Sequence, residues 1–123
     1  MSLARRTENG RRKTIQNSHS RPAVIRYQEH VLPYLYENFS FDRATEIDEK
    51  IIRKAGTLSN KPARGSREKY LTESREDFRF ILHKETRHFE IKIIYYIREK
   101  ESTVYITDFF PTKMSPERMK ENQ

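Results

Sequence analysis

Cysteine is absent from this chain of 123 residues, which excludes a disulfide framework and any thiolate metal site. Glycine is scarce: Gly10, Gly56 and Gly65 are the only three, too few and too scattered to build a Gly-rich phosphate loop. No apolar run approaches the length of a membrane span, and the N-terminus shows no apolar stretch of the kind a signal peptide carries. The expected compartment is therefore the cytoplasm, with no membrane partner. Hydrophobic residues make up 34% and charged residues 35%, so only a thin core is possible. One sheet face covered by helices is the simplest arrangement that such a composition supports. The four histidines (His19, His30, His83 and His88) include no pair at the i, i+4 spacing of helical metal ligands. No metal site and no cofactor are expected.

Positive charge is abundant but uneven. Residues 1–26 hold seven basic residues against the single acid Glu8, a net of +6, while the rest of the chain has 18 basic and 17 acidic residues. The pI near 9.7 thus describes an arm rather than a body. The boundaries expected are a basic, flexible leader over 1–11 and one domain over 12–123. Such an arm adds salt-sensitive attraction to nucleic acid, or serves only as a solubilising leader.

The patterning then divides the domain. Residues Arg12–Ser18 read as a short edge strand. Ser20 followed by Pro22 reads as the start of a first helix, because serine caps and proline suits the first turn. Val24, Val31 and Leu35 give it an apolar stripe flanked by Tyr27 and Tyr34, and Pro33 is expected to kink it or loosen its last turn. Ala44, Ile47, Ile51, Ala55 and Leu58 follow the 3–4 spacing of a second helix, capped by Ser40 and ended at Asn60-Lys61-Pro62. A basic connection over 62–76 contains Arg64, with Tyr70 and Leu71 as expected anchors.

From residue 78 the period changes to two. Phe89, Ile91, Ile93, Tyr95 and Ile97 share one face of a strand; Glu90, Lys92, Ile94, Tyr96 and Arg98 share the other. The preceding run alternates Phe78, Phe80 and Leu82 with Arg79, Ile81 and His83. In the following run, Val104 and Ile106 are the expected inward pair, with Asp108 near its end. The reading is an α+β fold: two N-terminal helices on one face of a mostly antiparallel sheet of three to four strands. The other face is expected to stay open and to present Arg79, His83, Lys92, Tyr96 and Arg98, with Tyr105 beside them and Lys113 at the rim. Cations hold phosphates and rings stack on bases, so the mixture points to RNA. The alternative is an ordinary solvated face with cross-strand pairs such as Glu90–Arg98. His83 and His88 flank a hairpin turn and are candidates for an acid–base pair.

Several stretches resemble the RelE/ParE superfamily of small toxins, in particular a Bacteroidetes-like subgroup. They are Ala44, Ile47, Ile51, Leu58 and Pro62 in the second helix and its exit, then Gly65, FRFIL, IKIIYYI, VYIT and the closing FFPTKMSP. Together they span about residue 12 to residue 118. The resemblance implies a RelE-like fold and the toxin of a type II toxin–antitoxin pair, held by a cognate antitoxin. It implies either a ribosome-dependent mRNA endonuclease or a non-enzymatic inhibitor of DNA gyrase; a catalytically degenerate RNA-binding module is a third reading.

Cleavage of RNA needs the 2′-OH activated, the phosphate charge neutralised and the leaving oxygen protonated. On the family pattern Arg79, Lys92 and Lys113 match the cations and Tyr96 stands beside them as a catalytic candidate. His83, Arg98 and Arg64 are the candidate RNA contacts. Two positions depart from the pattern: Ile81 stands where a second strand cation is usual, and Met119 where a tyrosine is usual.

Overall fold

A computed structural model describes residues 14–123 of the chain. The basic leader, and the strand start expected at Arg12, lie outside the described residues. The elements are β1 (Gln16–His19), α1 (Arg21–Arg26), α2 (Leu32–Asn38), α3 (Phe41–Gly56), β2 (Ser66–Arg67), β3 (Arg79–Thr86), β4 (Phe89–Arg98) and β5 (Thr103–Pro111). A 3-10 segment, Pro116–Asn122, follows the last strand.

The architecture is α+β, but the sheet differs from expectation in size and sense. It has five strands in the order β1-β5-β4-β3-β2, and β1 runs parallel to β5 while the other pairs are antiparallel. The two-residue β2 had no signal in the basic connection, because a strand that short carries no period.

The first helix begins where capping chemistry places it: Ser20 Oγ accepts the Ala23 amide at 3.1 Å. Its course includes a π segment, Tyr27–Val31, just ahead of Pro33, in which the Leu32 amide reaches the Tyr27 carbonyl. Proline has no amide and its ring crowds the carbonyl four residues back, so the wider turn absorbs the conflict and α2 continues. The buried stripe is Ala23, Tyr27, Val31 and Leu35; Val24, expected inside, is exposed. The five residues expected on the second helix are all fully buried, Ala44, Ile47, Ile51 and Ala55 in α3 and Leu58 in the 3-10 turn Thr57–Ser59 that follows it.

These helices pack on Ile81, Phe89, Ile91, Ile93, Tyr95, Val104, Ile106 and Phe109 of the sheet. The helix face is thus closed as the strand pattern predicts, with one exception. Register pairs Ile81 with Ile93 and His83 with Ile91, so Arg79, Ile81 and His83 lie on the helix face. Phe80 and Leu82 lie opposite Ile94 and Lys92, on the second face.

That second face is not open. Leu71, Phe78, Ile94, Phe110 and Met119 form a separate apolar cluster there, with Phe80, Tyr96 and Met114 against it. The segment 69–78 and the C-terminal 3-10 segment supply its cover. Of the two anchors expected in the connection, Leu71 is buried and Tyr70 is exposed.

Candidate functional site

Lys92 stands mid-strand on the second face, as its position in β4 requires, but it is not a free cation. Its Nζ lies 2.9 Å from Glu68 Oε1, and the Glu68 side chain is wholly buried. The other Glu68 oxygen accepts the Tyr70 amide at 3.1 Å. The ammonium also sits 4.4 Å from the centre of the Phe80 ring and 5.9 Å from that of Tyr70. Its charge is spent on a buried carboxylate inside an aromatic cradle, which gives it a folding role. Glu68 had no sequence signal of its own: it belongs to the connection, and only the need of a half-buried lysine for a partner could have pointed to it.

Arg79 does not join Lys92. From the helix face its guanidinium donates to the Gly65 carbonyl at 2.9 Å and lies 3.5 Å from Asp77. It braces a corner where Gly65 meets Tyr95: the Gly65 amide donates to the Tyr95 hydroxyl at 3.0 Å, and that hydroxyl donates to the Pro62 carbonyl at 2.5 Å. A Cβ at Gly65 would fall 2.4 Å from that hydroxyl and 2.7 Å from the Phe80 carbonyl oxygen. Glycine is required here by close approach, not by a positive φ. Burial raises the Tyr95 phenol above its ordinary pKa against the pull of the Gly65 amide.

His83 is also on the helix face, nearly buried, with Nε2 3.0 Å from Glu85 Oε1. The second Glu85 oxygen takes Arg43 at 2.7 Å and Lys50 at 3.2 Å. His83 and His88 do not face each other: His83 pairs with Ile91, and His88 sits exposed in the turn with Nε2 taking the Arg87 guanidinium at 3.3 Å. Lys113 lies exposed in the turn after β5. Arg64, also exposed, donates to the Thr57 carbonyl and hydroxyl.

Tyr96 and Arg98 remain on the second face. Tyr96 stacks on Tyr105 with centroids 5.2 Å apart and meets Phe78 edge-on at 5.5 Å. Arg98 lies over the Tyr96 ring and pairs with Glu76 and Glu101, not with Glu90. A groove of about 620 Å³ opens beside them, lined by Phe78, Tyr96, Thr107, Ser20, Pro22 and Asn122. It begins at a bulge, where the register between β4 and β5 slips at Ile94 and Tyr95.

Asp108 does not pair locally. It receives Arg26 through Nε at 3.0 Å and through a terminal nitrogen at 3.3 Å. Arg26 also donates to Glu121 and to the Arg118 carbonyl, which ties the C-terminal segment to α1. Burial works against the Arg26 charge, and the bonds to Asp108 and Glu121 outweigh it and raise its pKa. Met119 is buried in the second-face cluster.

The expected cations therefore divide between two faces, a loop and a turn, and do not converge on one phosphate. The His83–Glu85 pair faces the helices. Among the described residues no group of three His, Asp or Glu side chains could hold a metal ion. No helix among them is long and apolar enough to cross a membrane. No family model, curated protein or solved structure matches the chain.

Proposed function

We propose that this chain is the toxin of a RelE/ParE-like toxin–antitoxin pair and acts by occupying its macromolecular target rather than by cutting RNA. The sequence resemblance and the order strand, helix pair, meander and short C-terminal segment favour the toxin reading. Within it, one observation favours a non-enzymatic inhibitor of the gyrase-binding kind over an mRNA endonuclease. The sheet position that must supply uncompensated positive charge for phosphate cleavage holds Lys92 neutralised by Glu68, with Phe80 and Leu82 as its strand neighbours. A paired cation offers a developing phosphate charge little extra stabilisation. Arg79, the second cation of the scheme, is on the opposite face.

The test is induced expression with and without the product of a neighbouring small gene. The expected result is growth arrest relieved by that product, intact transcripts, and loss of gyrase supercoiling activity in vitro. The double variant Lys92→Met/Glu68→Gln, which removes the ion pair without stranding a charge, should remain toxic. Ribosome-dependent mRNA cleavage that disappears in the double variant would reverse the reading, and absence of arrest would remove it.

A further inference from the structure

The second face of the sheet is covered only in part. Its cluster closes over Ile94 and Phe110, while the end nearest the β3–β4 hairpin stays exposed. There Leu82 is 39% exposed, and Tyr70, at the border of the cover, 53%. Leu82 stands opposite Lys92 in register and Lys84 opposite Glu90, and all four share the second face. The turn after β5 completes the patch: the Thr112 amide donates to the Glu90 carbonyl at 3.0 Å and brings Lys113 alongside. β2 pairs with β3 only at Arg79 and Phe80, so no strand among the described residues borders Leu82 on that side.

The patch is basic over its whole extent. Residues 66–70, 80–92 and 110–113 hold Arg67, Lys69, Lys84, Arg87, Lys92 and Lys113 against Glu68, Glu85 and Glu90. Each of these acids is already engaged: Glu68 by Lys92, Glu85 by Arg43 and Lys50 from the helix side, and Glu90 by Lys84 at 3.6 Å. Arg67 is offset by Asp77 of the neighbouring loop. Lys69, Arg87 and Lys113 are exposed and make no ion pair among the described residues. The excess is local, because from residue 27 onward the chain has 18 basic and 17 acidic residues.

We infer that this patch docks an acidic segment of a partner protein, with an apolar side chain against Leu82 and carboxylates against Lys84 and Lys113. Positive charge attracts such a segment and fixes its register. It attracts nucleic acid too, but the surface is poorly made for bases. The Lys92 ammonium lies 4.4 Å from the centre of the Phe80 ring, and that ring also packs against the second-face cluster, so it is no free stacking platform. Leu82, the apolar centre, has no π face. Lys69, Lys84 and Lys113 are point charges without the fork that clamps a phosphate. Docking here is independent of the toxin reading.

The experiment titrates the full chain at low salt with three probes and follows backbone NMR shifts. The probes are a short peptide of one leucine flanked by aspartates, the same peptide with lysines for aspartates, and a single-stranded oligothymidylate. The aspartate peptide is expected to bind, to shift residues 82–92 and 112–113, and to dissociate as salt rises. Leu82→Ser should weaken it roughly tenfold, the loss that goes with one leucine contact. Lys84→Glu/Lys113→Glu should abolish binding with the melting temperature nearly unchanged, since both positions are exposed. Failure of the aspartate peptide to shift these residues, equal binding of the lysine peptide, or indifference to Leu82→Ser would overturn the inference. So would tighter binding of the oligothymidylate at the same residues, which would assign the patch to nucleic acid.

Discussion

The two faces of the sheet are built by different means. On the helix face, most of the core comes from three elements whose apolar residues recur at regular spacing, and the cluster holds seventeen buried residues. On the second face a cluster of five is assembled from β4, β5, a loop and the C-terminal segment. The first is mostly hydrocarbon, with the Glu85 cluster at its edge; the second is bordered by two charge pairs with buried carboxylates, Glu68–Lys92 and Arg26–Asp108. A small apolar cluster provides little burial, and ion pairs fix the position of pieces that periodicity cannot place. Charge pairs of this kind specify an arrangement more than they stabilise it. If this difference is correct, breaking a pair on the second face should cost more than its net contribution, and removing both partners should cost little.

The largest effect is expected at Arg26. Both side chains of the Arg26–Asp108 pair are almost wholly buried, and the guanidinium also lies over the Phe110 ring. Arg26→Ala strands the Asp108 carboxylate and frees the C-terminal segment, so it should lower unfolding free energy by about 3–5 kcal/mol. Denaturant unfolding measures this, and hydrogen exchange of residues 116–122 should accelerate in the same variant. A loss under about 1 kcal/mol, the scale of an exposed pair, would show that this pair does not organise the second face.

The next effect separates a folding role from a catalytic one. Lys92→Ala leaves Glu68 buried with one partner gone and should cost about 2 kcal/mol, visible as a fall in melting temperature. The sequence alone suggests no such cost, because a lysine between Glu90 and Ile94 on an open face would have nothing to hold. Lys92→Met/Glu68→Gln should recover most of the loss, since glutamine still accepts the Tyr70 amide. A double-mutant cycle with no coupling would mean that the pair is a surface contact after all.

The helices were legible because their signals are local. Ser20, Ser40 and the 3–4 spacing from Ala44 to Leu58 need no knowledge of the rest of the chain. The inward faces of β4 and β5 were legible for the same reason. The face of β3 was not: Arg79, Ile81 and His83 alternate with Phe80 and Leu82, and either set can be read as the inner one. A strand's period is two, so the wrong choice moves every side chain to the opposite face. Only the pairing of Ile81 with Ile93 decides it, and that is a long-range fact. The candidate site depends on the same choice, because Arg79 and His83 share the face of Lys92 only if Phe80 and Leu82 point to the helices. Glu68 and the cover from the C-terminal segment depend on contacts across 24 and more residues, which no spacing rule reaches.

The smallest effect tests whether charge on the helix face is as dispensable as the comparison implies. Glu85 is the charged centre there, with His83, Arg43 and Lys50 around it. Burial would raise its carboxyl, but hydrogen bonds from His83 and Lys50 and the charges of Lys50 and Arg43 outweigh burial and hold its pKa below the ordinary value. A carboxyl depressed in the fold contributes stability above its unfolded pKa, and the contribution is lost as pH falls through the folded value. Melting temperature should therefore drop on acidification from about pH 4.5 downward, with part of the slope due to Glu85. Glu85→Gln should flatten that part and lower the melting temperature near pH 7 by about the acid-limb drop it removes, a small loss because glutamine keeps an acceptor and both Arg43 and Lys50 reach water. An acid limb as steep in the variant as in the parent would place the titration elsewhere. A large loss at pH 7 would mean that the helix face also depends on a charge pair, and the contrast between the two faces would then fail.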